Sequence, residues 1–172
     1  MYFSKVAVFI SLAVSAFAAP TPAVQKRALS FRAYNDFQIS DGVGGNALAE
    51  VNEAFPVDMT DPASVSEDDF NILVAARQTS ENAEAEFNDA IDAAGGSSDG
   101  DALTVGKIKN KVLKLRTFEM VVQIQQAQGT AGSDADKQLE DIQAKLAQNV
   151  QTDEQNSGKT SQGVNFTGDV QP

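Results

Sequence analysis

Apolar positions in this chain recur at three- and four-residue spacing between clusters of Gly, Pro, Ser and Asp. That is the period of an α-helix, not of a strand. The clusters at 41–45, 55–62, 94–100 and 129–133 predict the breaks, since they concentrate residues that turn or end helices. From 66 to 94, Ile72, Leu73, Ala76, Ala83, Phe87, Ala90, Ile91 and Ala94 fall on one stripe, about 100° wide on a helical wheel. Ser64 followed by Glu67 resembles a capping box, and Asp61-Pro62 is an alternative start. Gly95 suits the residue just past the end.

From 101 to 128 the pattern is apolar on two sides. Val105, Ile108, Val112, Leu115 and Val122 share one face, while Leu113, Met120 and Ile124 mark another. A helix of that kind is expected to lie packed between others. From 133 to 151, Ala135, Leu139, Ile142, Leu146 and Val150 repeat on one face, with Ser133 or Asp134 as cap. Two shorter helices are expected at 31–40 and 46–55. Short loops between the long helices imply antiparallel neighbours. The predicted fold is all-α, a small antiparallel helical bundle over 28–151. The tail from 152 to 172 is rich in Gln, Asn, Ser, Thr and Gly, which predicts disorder.

The first 27 residues read as an address. Lys5 supplies a positive start, residues 6–17 an apolar run, and Ala16-Phe17-Ala18 the small residues read by a signal peptidase. A signal peptide over 1–18, cut after Ala18, is therefore expected. The run is too short to span a bilayer, which takes about 20 apolar residues. Residues 19–27 are Pro-rich and end in Lys26-Arg27, which reads as a propeptide with a dibasic site. The mature chain would begin at Ala28.

Composition then narrows the chemistry. The 172 residues include no His, Cys or Trp, and carry 13 basic against 24 acidic side chains. A His-based triad, a thiol nucleophile, a usual zinc site and a disulfide are all excluded. Losing Lys5, Lys26 and Arg27 leaves 10 basic and 24 acidic residues, a formal charge of −14. That balance argues against nucleic acid as a partner and against anionic lipid.

Three groups of residues remain as candidates. Lys107, Lys109, Lys111, Lys114 and Arg116 hold half of the mature positive charge. On a helix, Lys107, Lys111 and Lys114 form one stripe, a candidate partner-binding surface for an anionic ligand. Glu67, Asp68, Asp69, Glu81, Glu84, Glu86, Asp89 and Asp92 precede it, so internal pairing is the favoured reading. The carboxylates could in principle serve glycoside hydrolysis, but Tyr34 alone remains to stack a sugar once Tyr2 leaves. Asp99-Gly100-Asp101 and Asp134-Ala135-Asp136 open like calcium loops. Positions six and twelve hold Thr104 and Asn110 in one, Leu139 and Lys145 in the other, against the Gly and Glu such loops need. No catalytic residue, metal ligand or cofactor site is assigned. Asn165-Phe166-Thr167 is a glycosylation sequon. No hydrophobic run follows it, so no lipid-anchor signal is expected. Phe31, Tyr34, Phe37 and Phe55 are expected as core residues rather than a binding patch.

The blocks Tyr34-Asn35-Asp36-Phe37-Gln38-Ile39-Ser40-Asp41-Gly42 and Gly45-Asn46-Ala47-Leu48-Ala49-Glu50-Val51-Asn52 resemble a family of cysteine-free small secreted proteins of filamentous ascomycetes. So does Val105-Gly106-Lys107-Ile108-Lys109-Asn110-Lys111-Val112-Leu113-Lys114-Leu115, with Ile124-Gln125-Gln126-Ala127-Gln128 after it. The resemblance implies a candidate effector or elicitor and supplies no catalytic residue. The expectation is a secreted, non-enzymatic protein acting outside the cell, as a virulence effector or elicitor of host defence. The alternative is a cell-wall or conidial-surface protein. Partners would be a host plant extracellular or cell-surface protein, or a fungal wall polymer.

Overall fold

A computed structural model describes residues 28–172. The expected leader, with Ala18, Lys26 and Arg27, lies outside the described residues. The chain is mostly helical, with one very small sheet. In order it forms α1 (Tyr34–Phe37), β1 (Gly42–Val43), α2 (Ala47–Ala54), a 3₁₀ turn (Pro62–Ser64), α3 (Glu67–Asn82), α4 (Glu84–Ala94), α5 (Ser98–Ala127), α6 (Ala135–Gln155) and β2 (Thr160–Ser161). No helix among the described residues is long and apolar enough to cross a membrane.

The helix apolar on two sides lies at the centre. α5 packs against α2, α3, α4, α6 and β2, and Val112, Leu113, Val122 and Ile124 are wholly buried along it. Its starting cap is Ser97, whose hydroxyl accepts from the Gly100 amide at 3.3 Å.

The helix expected over 66–94 is broken in two. Ser80 turns its hydroxyl back to the Ala76 carbonyl at 2.7 Å, a bond that tends to bend helices. Its own carbonyl accepts from Asn110 Nδ2 at 2.8 Å. An unbroken helix would offer that carbonyl to the amide of Glu84. A side chain of α5 thus enters the ladder of α3 and divides it at Ala83. The cap of α3 is also shifted from the expected Ser64–Glu67 box, since Ser66 Oγ accepts from the Asp69 amide at 3.1 Å. Asp134 stands at the start of α6 without a side-chain cap bond.

Two expectations are corrected by the backbone of the N- and C-terminal segments. The helix predicted over 31–40 is a single turn, because 38–45 extends toward the sheet instead. The tail predicted to be disordered is part of the fold. α6 runs on to Gln155, and the chain then returns as β2, pairing antiparallel with β1 through Gly42–Ser161 and Val43–Thr160. Beyond β2, side chains of the main body hold the tail's amides. Gly163 donates to Asp41 Oδ1 at 2.8 Å, Phe166 to Asn35 Oδ1 at 3.2 Å and Val170 to Thr79 Oγ1 at 2.9 Å. In return Asp169 Oδ1 accepts from the Tyr34 amide at 2.6 Å. Low apolar content predicts disorder only when nothing else satisfies the backbone. Here polar side chains do so, and Phe166 adds an apolar anchor.

Glycines permit that return. A Cβ on Gly106 would stand 1.9 Å from the Gln162 carbonyl oxygen and 3.2 Å from that of Ser40. On Gly44 it would meet the Asn156 carbonyl oxygen at 2.7 Å. Both sites therefore require close backbone approach.

Tyr34, Phe37 and Phe55 are buried, as expected, while Phe31 is exposed. The Tyr34 ring meets Phe37 at 5.6 Å and Phe166 at 5.7 Å, edge to face. Its hydroxyl donates to Asn110 Oδ1 at 2.8 Å. Burial pushes the Tyr34 phenol well above the usual tyrosine range, with smaller upward pushes from the charges of Asp41 and Glu84; the Ser40 hydroxyl opposes them. A raised folded value means the neutral ring favours the fold below the unfolded value near about 10, and that contribution is lost as pH rises above it. Tyr34 is the single tyrosine after residue 27. Alkaline titration of residues 28–172 should therefore give tyrosinate absorbance only with the cooperative loss of helical circular dichroism. A gradual rise near pH 10 in folded protein would contradict the buried phenol.

Candidate functional site

The basic cluster on α5 is divided between two sides of the helix. Lys109 is completely buried. Its Nζ pairs with Glu50 Oε2 at 2.8 Å and donates to the carbonyls of Asp41 and Val43, both at 3.1 Å. Three acceptors match the three donors of an ammonium group. The side chain therefore ties α5 to α2, to β1 and to the residue just before it. Arg116, on the same side, reaches Asn52 Oδ1 at 3.0 Å and Glu119 Oε2 at 2.6 Å.

Lys107 and Lys114 face α4 instead. Lys107 bonds Asn88 Oδ1, and Lys114 pairs with Glu84 Oε1 at 2.6 Å. Their neighbour Lys111 is half-buried and makes no ion pair among the described residues. The Lys114–Glu84 pair, with side chains 19% and 24% exposed, is still reached by water and contributes about 1 kcal/mol. Much of the cluster's charge is thus spent inside the molecule. Of the stripe Lys107, Lys111 and Lys114, Lys114 is the member with an ion pair among the described residues; Lys107 bonds a neutral amide, and Lys111 meets no carboxylate.

A surface that sequence reading missed lies between α2, α5 and α6. It is an open groove of about 400 Å3, with Leu48, Leu146, Ala147 and Val150 as its apolar lining. Asn52, Arg116, Glu119 and Gln143 form the polar side. These four are linked in series, because Gln143 Nε2 donates to Glu119 Oε1 at 3.0 Å beside the Arg116 contacts above. The groove continues toward the start of α2, where Asp153 Oδ2 accepts from the Ala47 amide at 2.8 Å. Such a carboxylate complements the positive end of a helix. An apolar lining beside an ordered polar ladder is suited to receiving one or two apolar side chains of a partner and fixing their direction. It contains no nucleophile–base pair. The signal in the sequence was the 146–150 spacing on α6, which also reads as plain core.

Among the described residues no group of three or more acidic, His or Cys side chains is arranged to hold a metal ion. Asp99 and Asp101 lie in the first turn of α5, and Asp136 in that of α6, bonded to Gln126 Nε2 at 2.7 Å. Acidic side chains at helix starts complement the dipole. Asn165 is exposed in the extended tail, next to the anchored Phe166.

Sequence comparison assigns most of the described chain. The profile of a family described as Domain of unknown function (DUF8454) matches residues 29–165. No curated protein and no solved structure matches.

The division of the cluster has a measurable consequence. Removing Lys109 leaves Glu50 and two carbonyls unpaired in or near the interior, a change that costs about 3–5 kcal/mol for a buried pair. Glu50 is 33% exposed and can regain some water, so Lys109→Met is expected to cost about 2–4 kcal/mol. Lys111→Glu should fall within about 0.5 kcal/mol of the parent. Urea unfolding of the two variants checks the contrast, and equal effects would refute it.

Proposed function

The chain belongs to that family, and from the order of its segments we propose that it is a secreted, non-enzymatic fungal protein that acts outside the cell as an effector or elicitor of host defence. The observation that carries the reading is the order of segments. An apolar run with a small-residue cleavage site precedes Lys26-Arg27, and the family match begins two residues later. The strongly acidic composition after residue 27 and the resemblance to cysteine-free secreted proteins of ascomycetes support it.

The architecture fits a small antiparallel helical bundle. Bonds between helices run in opposite order along each pair: Glu84 with Lys114 and Asn88 with Lys107 for α4 and α5, Glu119 with Gln143 and Gln126 with Asp136 for α5 and α6. Its recognition surface is the groove of Leu48, Leu146 and Val150. A partner there is a host extracellular or cell-surface protein that presents apolar side chains. The stripe of Lys107, Lys111 and Lys114 is a weaker docking surface because two of its members are engaged. A wall or conidial coat is the second reading, favoured by the acidic surface, which keeps such a layer hydrated.

Fractionating a culture and sequencing the protein's N-terminus separates the two. An effector is expected in the filtrate, starting at Ala28, and purified 28–172 should cause necrosis or a defence response on infiltration into leaves. The exposed Asn165 should carry a glycan, seen as a mass that endoglycosidase lowers and Asn165→Gln removes. Recovery confined to the wall, with no host response, would overturn the effector reading.

A further inference from the structure

Asp69 is buried, with 6% of its surface exposed, near the start of α3. One carboxylate oxygen accepts from the Leu29 amide at 2.6 Å. No cation pairs with it among the described residues. A buried carboxylate is costly without charge compensation, and one neutral N–H with a helix start is modest compensation for it. The segment leading to this contact is otherwise well held. Leu29 packs against the core, Arg32 Nη2 donates to the Ala54 carbonyl at 2.6 Å, and its guanidinium lies 5.3 Å from the Phe55 ring centre.

The backbone nitrogen of Ala28 is one residue, about 3.5 Å along the chain, before that of Leu29. While the Arg27–Ala28 peptide bond is intact, that nitrogen is a neutral amide. Hydrolysis after Lys26-Arg27 adds one water across the bond, leaving a carboxylate on Arg27 and an amine on Ala28 that is protonated at neutral pH.

We propose that Asp69 is the receiving site for the α-ammonium group of Ala28 that this cleavage creates, so that processing fastens the new N-terminus to α3. The inference rests on the processing step of the function proposed above and adds a consequence for the fold. An ammonium one residue from an already engaged carboxylate converts a single hydrogen bond into a charge-assisted ion pair. The uncleaved chain lacks that pair and should be the less stable form. Maturation is then coupled to stability, and the protein becomes more rugged as it leaves the cell.

The test compares chains made directly in both forms, one spanning 19–172 and one beginning at Ala28. Thermal melts at neutral pH should place the Ala28 chain about 3 °C higher. N-acetylation of Ala28 removes the charge and keeps Asp69, and should bring the melt down to that of the longer chain. Asp69→Asn should abolish the difference between the two lengths. Equal melts for the two parent chains would overturn the pairing, as would an acetylated chain as stable as the free amine. Treating 19–172 with a dibasic-specific protease examines the processing reading by itself. Resistance at Arg27 would sink that reading, while the melts still decide whether Asp69 holds an N-terminal ammonium.

Discussion

The arrangement depends on one close approach, the return of the C-terminal segment across the first third of α5. Gly106 has no side chain to obstruct the Gln162 and Ser40 carbonyls, and the Gln162 amide donates to the Ala102 carbonyl at 3.0 Å. Three residues further along α5, the buried Lys109 holds the other strand's approach through the Asp41 and Val43 carbonyls. A glycine and a lysine one turn apart thus let a helix surface accept two strands of backbone. The small sheet has only two strands, which is marginal alone. It persists here because β2 packs against α5 and Lys109 takes the Val43 carbonyl.

That constraint explains why so much charge is internal. Lys109 must be positive to serve carbonyls and the Glu50 carboxylate together, and Lys114 meets Glu84 across the α4 boundary. The break at Ala83, which places Glu84 there, follows from Asn110 taking the Ser80 carbonyl. The same Asn110 receives the Tyr34 hydroxyl, so one polar residue of α5 coordinates α3 and the N-terminal turn. With these contacts fixed, the groove between α2 and α6 keeps Leu48 and Val150 partly open.

The long helices were legible because burial obeys periodicity. Leu73, Phe87, Val112, Leu113, Ile124, Ile142 and Leu146 are all buried, and each stood on a predicted stripe. What was hidden depends on polar residues acting at long range. Asn110 divides a helix 30 positions earlier in the chain, and Asp41, Asn35 and Thr79 order a tail whose composition has little apolar content. Hydrophobic pattern carries no information about such bonds, since their partners are far apart in sequence. The basic cluster was half legible: complementary charge pointed to internal pairing, but not to the complete burial of Lys109. The groove was not legible, because a half-buried Leu and a core Leu share the same spacing.

The C-terminal segment is a structural strap and not a loose tail. Amide hydrogen exchange of the folded protein tests it most directly, read at Gln162, Gly163, Phe166 and Val170. Slowed exchange is expected at all four, with Gln162 the most protected because it bonds the backbone of α5 directly. Exchange at the rate of an unfolded peptide across 162–170, with α5 itself protected, would contradict it.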